Sequence, residues 1–173
     1  MTPTRPVGGG GGADKGKGVP VAISAATDYD PQGDSEEDHA GVGLAIDGNP
    51  TGTAWSTEHY ESEAFAGTKT GPDPGVGLYV TASSEAMPST MVIRSPTPGW
   101  DAQIFAASSG PPEQLSEWGE PIGEVSEAEG SEEVELHLAQ PARYFLIWFN
   151  KAAAASDQEG RYLVEISDVK LID

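Results

Sequence analysis

The chain of 173 residues carries 28 Asp and Glu against nine Lys and Arg, a formal charge of −19. An excess of that size repels phosphate backbones and anionic lipid surfaces, which argues against nucleic acid as a partner. No cysteine is present, so neither a disulfide framework nor a thiolate metal site can form.

Taken in chain order, residues 1–18 contain five consecutive glycines, Gly8 to Gly12, and read as a flexible linker or tag remnant that cannot bury a core. This stretch has no apolar h-region, so it is no secretory signal, and any export signal would lie outside it. The domain is expected to span 19–173. Short apolar or alternating runs follow at Val21 to Ala25, Gly77 to Thr81, Thr90 to Arg94, Asp101 to Ala106, Pro121 to Val125, Glu133 to Leu138, Arg143 to Asn150 and Arg161 to Ile172. Gly, Pro, Ser and Asp clusters separate them. Such a pattern predicts an all-β fold, an antiparallel β-sandwich of about eight strands.

Glu133 to Leu138 alternates, which predicts one wet face. Tyr144 to Phe149 is apolar on both faces, which predicts a central strand. Single helical turns are expected at Ala40 to Ile46 and Ala152 to Ser156. No apolar run approaches the roughly 20 residues that span a bilayer, so the segment is not expected to insert into a membrane.

The stretch Asp47-Gly48-Asn49-Pro50-Thr51-Gly52-Thr53-Ala54-Trp55 is the most informative loop. Glycine beside Asp and Asn permits a tight turn, and the carboxylate, hydroxyl and carbonyl oxygens are hard ligands suited to a cation. The alternative is an ordinary turn in which Asp47 and Thr53 bond only locally. A second acidic run, Asp28, Asp30, Asp34, Glu36 and Glu37, lacks the spacing of an EF-hand. It is expected to be solvated, with aspartates capping turns. No nucleophile elbow, His-Glu-x-x-His pair or phosphate-binding glycine loop occurs, and no carboxylate pair stands out, so the chain is not expected to be an enzyme.

Read together, Ala45 to Asn49, Thr53 to Trp55, Arg94 before Gly99-Trp100, Gln103 to Phe105, Trp118 to Pro121, Pro141 to Tyr144 and Ile166 to Leu171 resemble the galactose-binding-like superfamily. That group includes discoidin domains, coagulation-factor type C domains and family 32 carbohydrate-binding modules. The resemblance covers roughly residues 20 to 173 and implies a jelly-roll topology. With Asp28 to Asp34 included, the chain also resembles the extracytoplasmic C-terminal module of actinobacterial membrane proteins of the lipid II flippase type that carry a pseudokinase region. That likeness implies an excised, cell-surface ectodomain tethered to a membrane protein.

The resemblance further implies a structural calcium held by the Leu44 carbonyl, the Asp47 carboxylate, the Asn49 carbonyl, the Thr53 hydroxyl and carbonyl, the Ser167 carbonyl and the Asp168 carboxylate. Two departures stand against it: the loop is one residue longer than the family pattern, with Gly52 the extra residue, and Asp168 replaces the more usual Glu. A ligand site at one tip of the sandwich is implied for His59, Tyr60, Arg94, Trp100, Asp157 and Gln158. An Asn that usually accompanies the Arg is missing, and the alternative for Arg94 is an ion pair with one of the many acids. Trp55, Trp118 and Trp148 are expected in the core. The implied function is a non-catalytic binding module for a glycan or peptidoglycan-related cell-wall fragment. The alternative is a protein-interaction or structural ectodomain that has kept the fold and lost the sugar site.

Overall fold

The computed structural model describes residues 18–32, 38–65 and 74–173. Two antiparallel sheets face each other. One has four strands, in the order β1 (Pro20–Val21), β13 (Asp168–Ile172), β5 (Thr90–Arg94) and β8 (Ser131–Glu135). The other has five, in the order β2 (Ile23–Tyr29), β4 (Val76–Ala86), β9 (Ala142–Lys151), β6 (Asp101–Ala107) and β7 (Gly123–Val125). Two short ladders complete the set: β12 (Glu165–Ile166) on β3 (Trp55–Ser56), and β10 (Ala153–Ala154) on β11 (Tyr162–Leu163).

The expected all-β sandwich is therefore present, and Tyr144 to Phe149 lies in β9, paired on both sides by β4 and β6. Its alternate residues serve two clusters. Phe145, Ile147 and Phe149 point into the sandwich with Leu78, Val80, Met91, Ile93, Ile104 and Val169. Leu146 and Trp148 join Tyr29, Phe105 and Trp118 on the outer face of the five-stranded sheet. There the Trp118 Nε1 donates to the Tyr29 hydroxyl at 3.1 Å, and Tyr29 meets Tyr79, Trp118 and Trp148 edge-on. Close packing of this layer requires a glycine at position 77, where a Cβ would come within 2.8 Å of Leu146 Cδ1. Trp55, Trp118 and Trp148 are buried, as expected.

Three local expectations change. Ala152 to Ser156 is no helical turn: Ala153 and Ala154 pair with Leu163 and Tyr162 as one arm of a hairpin, because tertiary pairing outweighs alanine's helix propensity in so short a run. The long run Arg161 to Ile172 breaks into β11, β12 and β13, which lets successive parts meet β10, β3 and β5. The helical turn near Ala40 is a 3₁₀ helix, His39–Ala45, packed against β2, β3 and β13.

The second acidic run is not simply solvated. Asp28 and Asp30 are buried, and Asp28 Oδ1 lies 2.7 Å from His39 Nδ1. The alternation along β2 turns Asp28 toward the helix that carries His39, so a histidine meets this carboxylate. Asp34, Glu36 and Glu37 lie outside the described residues.

Candidate functional site

The loop from Asp47 is closed by its own side chains. Gly48 takes φ of +78°, a left-handed turn that suits glycine. The turn brings the Asn49 N–H to Asp47 Oδ1 at 2.9 Å, and the Thr53 hydroxyl donates to Asp47 Oδ2 at 2.5 Å. The Asn49 carbonyl accepts from the N–H groups of Gly52 and Thr53, both at 3.3 Å. A Cβ at Gly52 would meet only the tip of the exposed Asn49 side chain, which can turn away. These hydrogen bonds hold the Asp47 carboxyl below the usual carboxylate range, the Thr53 bond contributing most.

Across from this loop stands Asp168, whose side chain is only 6% exposed. Burial pushes its carboxyl above the usual range; Lys170 and Arg94 pull it down and Asp47 pushes it up. Lys170 Nζ is 3.8 Å away, too far for a hydrogen bond. The result is a sheltered carboxylate that keeps a backbone donor from Val169 and feels the charge of a second carboxylate, Asp47. Ser167 is anchored beside it through its N–H to the Arg94 carbonyl at 2.8 Å. Leu44 lies in the 3₁₀ helix that packs on β3 and β13.

The residues that the resemblance implies for an ion, Asp47, Thr53, Ser167 and Asp168 among them, offer only oxygen donors, the class that suits calcium rather than a transition metal. Among the described residues no group of three or more His, Cys, Asp or Glu could hold a metal. Any ion here therefore depends on carbonyl and hydroxyl oxygens.

Stability should follow the sign of the Asp168 shift. A carboxyl whose folded pKa lies above its unfolded one favours folding most fully below the unfolded value. That contribution is lost as pH rises through the folded pKa. Asp168→Asn is therefore expected to raise the thermal midpoint of ion-free protein at pH 7, and to leave it little changed well below pH 4. Thermal scans in chelator across that range check both.

The residues expected at the sugar site divide into three groups. Tyr60 is 3% exposed; it bridges to Tyr162 and packs edge-on against Phe65 at 4.8 Å. Trp100 is 0% exposed. Its Nε1 donates to Ser95 Oγ at 3.1 Å, and its ring stands edge-on to Phe149 at 5.3 Å. Both are core residues, drawn in by the apolar area that their rings remove from water, and neither reaches a ligand.

His59 and Asp157 do meet: His59 Nε2 lies 3.0 Å from Asp157 Oδ1. The pair ties the segment before Tyr60 to the hairpin tip, where the Gln158 carbonyl accepts from the Arg161 N–H at 3.2 Å. This tip is separate from Arg94, which lies at the far end of β5 opposite Asp168.

Arg94 lines a cleft of about 760 Å³ together with the 50–54 turn, Ser95, Pro96, Gly130, Ser131, Glu165 and Ser167. That volume falls within the range of small-ligand sites. Among the described residues the other cations are engaged. Lys151 pairs with Glu127, Arg161 with Glu61 and Lys170 with Asp168, and Arg143 Nε donates to the Ala82 carbonyl. Among the described residues Arg94 makes no ion pair at contact distance and no side-chain hydrogen bond, although its charge acts on the buried Asp168 across the ladder.

Ser95, Ser131 and Glu165 were not anticipated in the sequence. Ser131 reaches the cleft because it pairs with Arg94 across β5 and β8, and Glu165 because the Thr97 hydroxyl binds its carboxylate. Only long-range pairing brings them there.

No family model and no curated protein matches the sequence. Solved structures do match over nearly the whole domain. One is chitosan-binding module 1 from a chitosanase/glucanase of Paenibacillus sp. IK-5, with a TM-score of 0.58 and 14% identity, covering 88% of this chain and 97% of that one. The fold is the β-sandwich of these carbohydrate-binding modules. The CBM32 of AlyQ, solved with 4,5-unsaturated mannuronic acid, matches this chain with a TM-score of 0.57 and 17% identity over 89% of this chain and 98% of that one. A pectin-binding carbohydrate-binding module matches with a TM-score of 0.53 and 14% identity over 87% and 91%.

Proposed function

We propose that this galactose-binding-like chain is a non-catalytic glycan-binding module that recognises a cell-wall or peptidoglycan-related oligosaccharide outside the cytoplasm. Its recognition cleft lies between the 50–54 turn and Arg94. The observation that carries this reading is the unpaired Arg94 guanidinium lining that cleft. An uncommitted fork of N–H donors, flanked by the hydroxyls of Thr51, Thr53 and Ser131, suits vicinal sugar hydroxyls and ring oxygens. Support also comes from the structural neighbours, which include a chitosan-binding module, a pectin-binding module and a CBM32 solved with an unsaturated mannuronic acid. Calcium in the Asp47 loop, completed by Ser167 and Asp168, would brace one wall of the cleft and help tie the loop to β13.

Screening the protein against immobilised cell-wall oligosaccharides tests the reading. Arg94→Ala is expected to weaken any hit by roughly ten-fold or more, the scale of losing a charged hydrogen-bond partner. His59→Ala is expected to leave both affinity and thermal midpoint unchanged. A second reading, a protein-interaction ectodomain tethered to a membrane protein, is favoured by one observation: no aromatic side chain lines the cleft. Sugar sites commonly stack a pyranose on such a ring, so retention of a protein partner without binding to any glycan would select this alternative.

A further inference from the structure

We infer that the cleft selects an amino sugar that also carries a carboxylate, the acid pairing with Arg94 and the amide N–H with Glu165. This inference rests on the glycan reading above and names the ligand class. Both residues line the cleft, yet among the described residues they form no ion pair at contact distance, with each other or with a third group. Asp168, opposite Arg94 on β13, is buried and does not line the cleft. A ligand in the cleft therefore meets one cation and one anion.

Glu165 is positioned by a buried chain of hydrogen bonds. The Trp100 Nε1 and the Thr97 N–H both donate to Ser95 Oγ, each at 3.1 Å, and the Ser95 hydroxyl donates to the Thr97 carbonyl at 2.9 Å. Ser95, Thr97 and Trp100 are all buried. Held in this way, the Thr97 hydroxyl donates to Glu165 Oε1. The other oxygen, Oε2, takes no hydrogen bond from the described residues. A carboxylate with one oxygen anchored and the other open is a preorganised acceptor, and it penalises a ligand that brings no donor.

Arg94 imposes the complementary demand. Its planar fork matches a carboxylate through two parallel N–H···O bonds, each roughly twice as strong as a neutral one. A neutral sugar uses only part of that capacity. A polyuronate satisfies Arg94 but sets further carboxylates against Glu165 and against a chain of charge −19. An N-acylated amino sugar with a single acid arm meets both residues at once. Sugars of the muramic acid and sialic acid types share that chemistry.

Titration of isotope-labelled protein with N-acetylmuramic acid, N-acetylneuraminic acid, N-acetylglucosamine and glucuronic acid in turn, with chemical shifts read at Arg94, Ser95 and Ser131, tests this. At least one of the two acidic amino sugars is expected to bind about ten-fold tighter than N-acetylglucosamine, which lacks the acid, and than glucuronic acid, which lacks the amide. Which of the two does so identifies the spacing of acid and amide that the cleft holds. Arg94→Gln is expected to remove the advantage over N-acetylglucosamine. Thr97→Val, which releases Glu165 without altering its charge, is expected to reduce the advantage over glucuronic acid, and dispersed amide spectra show both variants folded. Equal binding of all four sugars overturns the inference, as does an advantage over N-acetylglucosamine that survives Arg94→Gln or one over glucuronic acid that Thr97→Val leaves untouched. If only chitopentaose, which carries no acid, perturbs the cleft, the inference falls and the glycan reading stands; if no saccharide perturbs it, both fall.

Discussion

Trp100→Ala is expected to lower the unfolding free energy by about 3–5 kcal/mol, the usual cost of emptying a large aromatic site in a packed core. The chain is turned inward just before this residue: Gly99 has φ of +108°, and its N–H donates to the Ala128 carbonyl at 2.8 Å. Trp100 then fills the space beside Phe149 and satisfies its Nε1 on Ser95 Oγ. Alanine would leave a cavity, although Ser95 Oγ would keep the Thr97 N–H as a donor. Phenylalanine should cost less, because most of the volume remains. Urea unfolding of the two variants measures the difference. A Trp100→Ala protein of unchanged stability but reduced glycan affinity would show that the ring faces a ligand.

Calcium is expected to raise the melting temperature of the wild type, and Asp47→Ala is expected to abolish that rise. An ion that binds only the folded state stabilises by mass action, by about 2.7 kcal/mol when present at a hundred times its dissociation constant. For a domain of this size that corresponds to an increase of roughly 5–10 °C. The structural basis is the sheltered Asp168, whose carboxyl the charge of Asp47 pushes up. In chelator, repulsion between these groups remains and the ion's contribution is absent. Differential scanning calorimetry in calcium and in chelator checks this. Equal midpoints, in protein shown to be metal-free beforehand, would mean that the loop is closed by the Thr53 and Asn49 hydrogen bonds alone.

Much of the fold was legible because strands declare themselves locally. The apolar run Tyr144 to Phe149 has no wet face, and it lies in β9, paired on both sides; Thr90 to Arg94 matches β5 at both ends. Ala152 to Ser156 was misread because four consecutive alanines carry a helical preference that only pairing with a distant strand overrides. The ligand site was less legible for a related reason. Sequence order places His59, Tyr60 and Trp55 in one segment, but strand alternation and tertiary bridges send Tyr60 inward and leave His59 at the hairpin tip. Trp100 follows a Pro-Gly turn that looks like an exposed loop, and the positive φ of Gly99 is what directs it into the core. Arg94 could be singled out by resemblance, but its lack of a partner could not be read from composition. Twenty-eight acids made an ion pair the simplest expectation, and only the pairing of β5 with β13 and β8 shows which groups surround it.

Location of a bound glycan tests the central claim most directly. Chemical-shift mapping on isotope-labelled protein, titrated with a cell-wall oligosaccharide in calcium, is predicted to perturb Thr51 to Ala54, Arg94, Ser95, Gly130 and Ser131. Perturbations centred on His59 and Asp157, or none with any oligosaccharide, would contradict the assignment of the cleft.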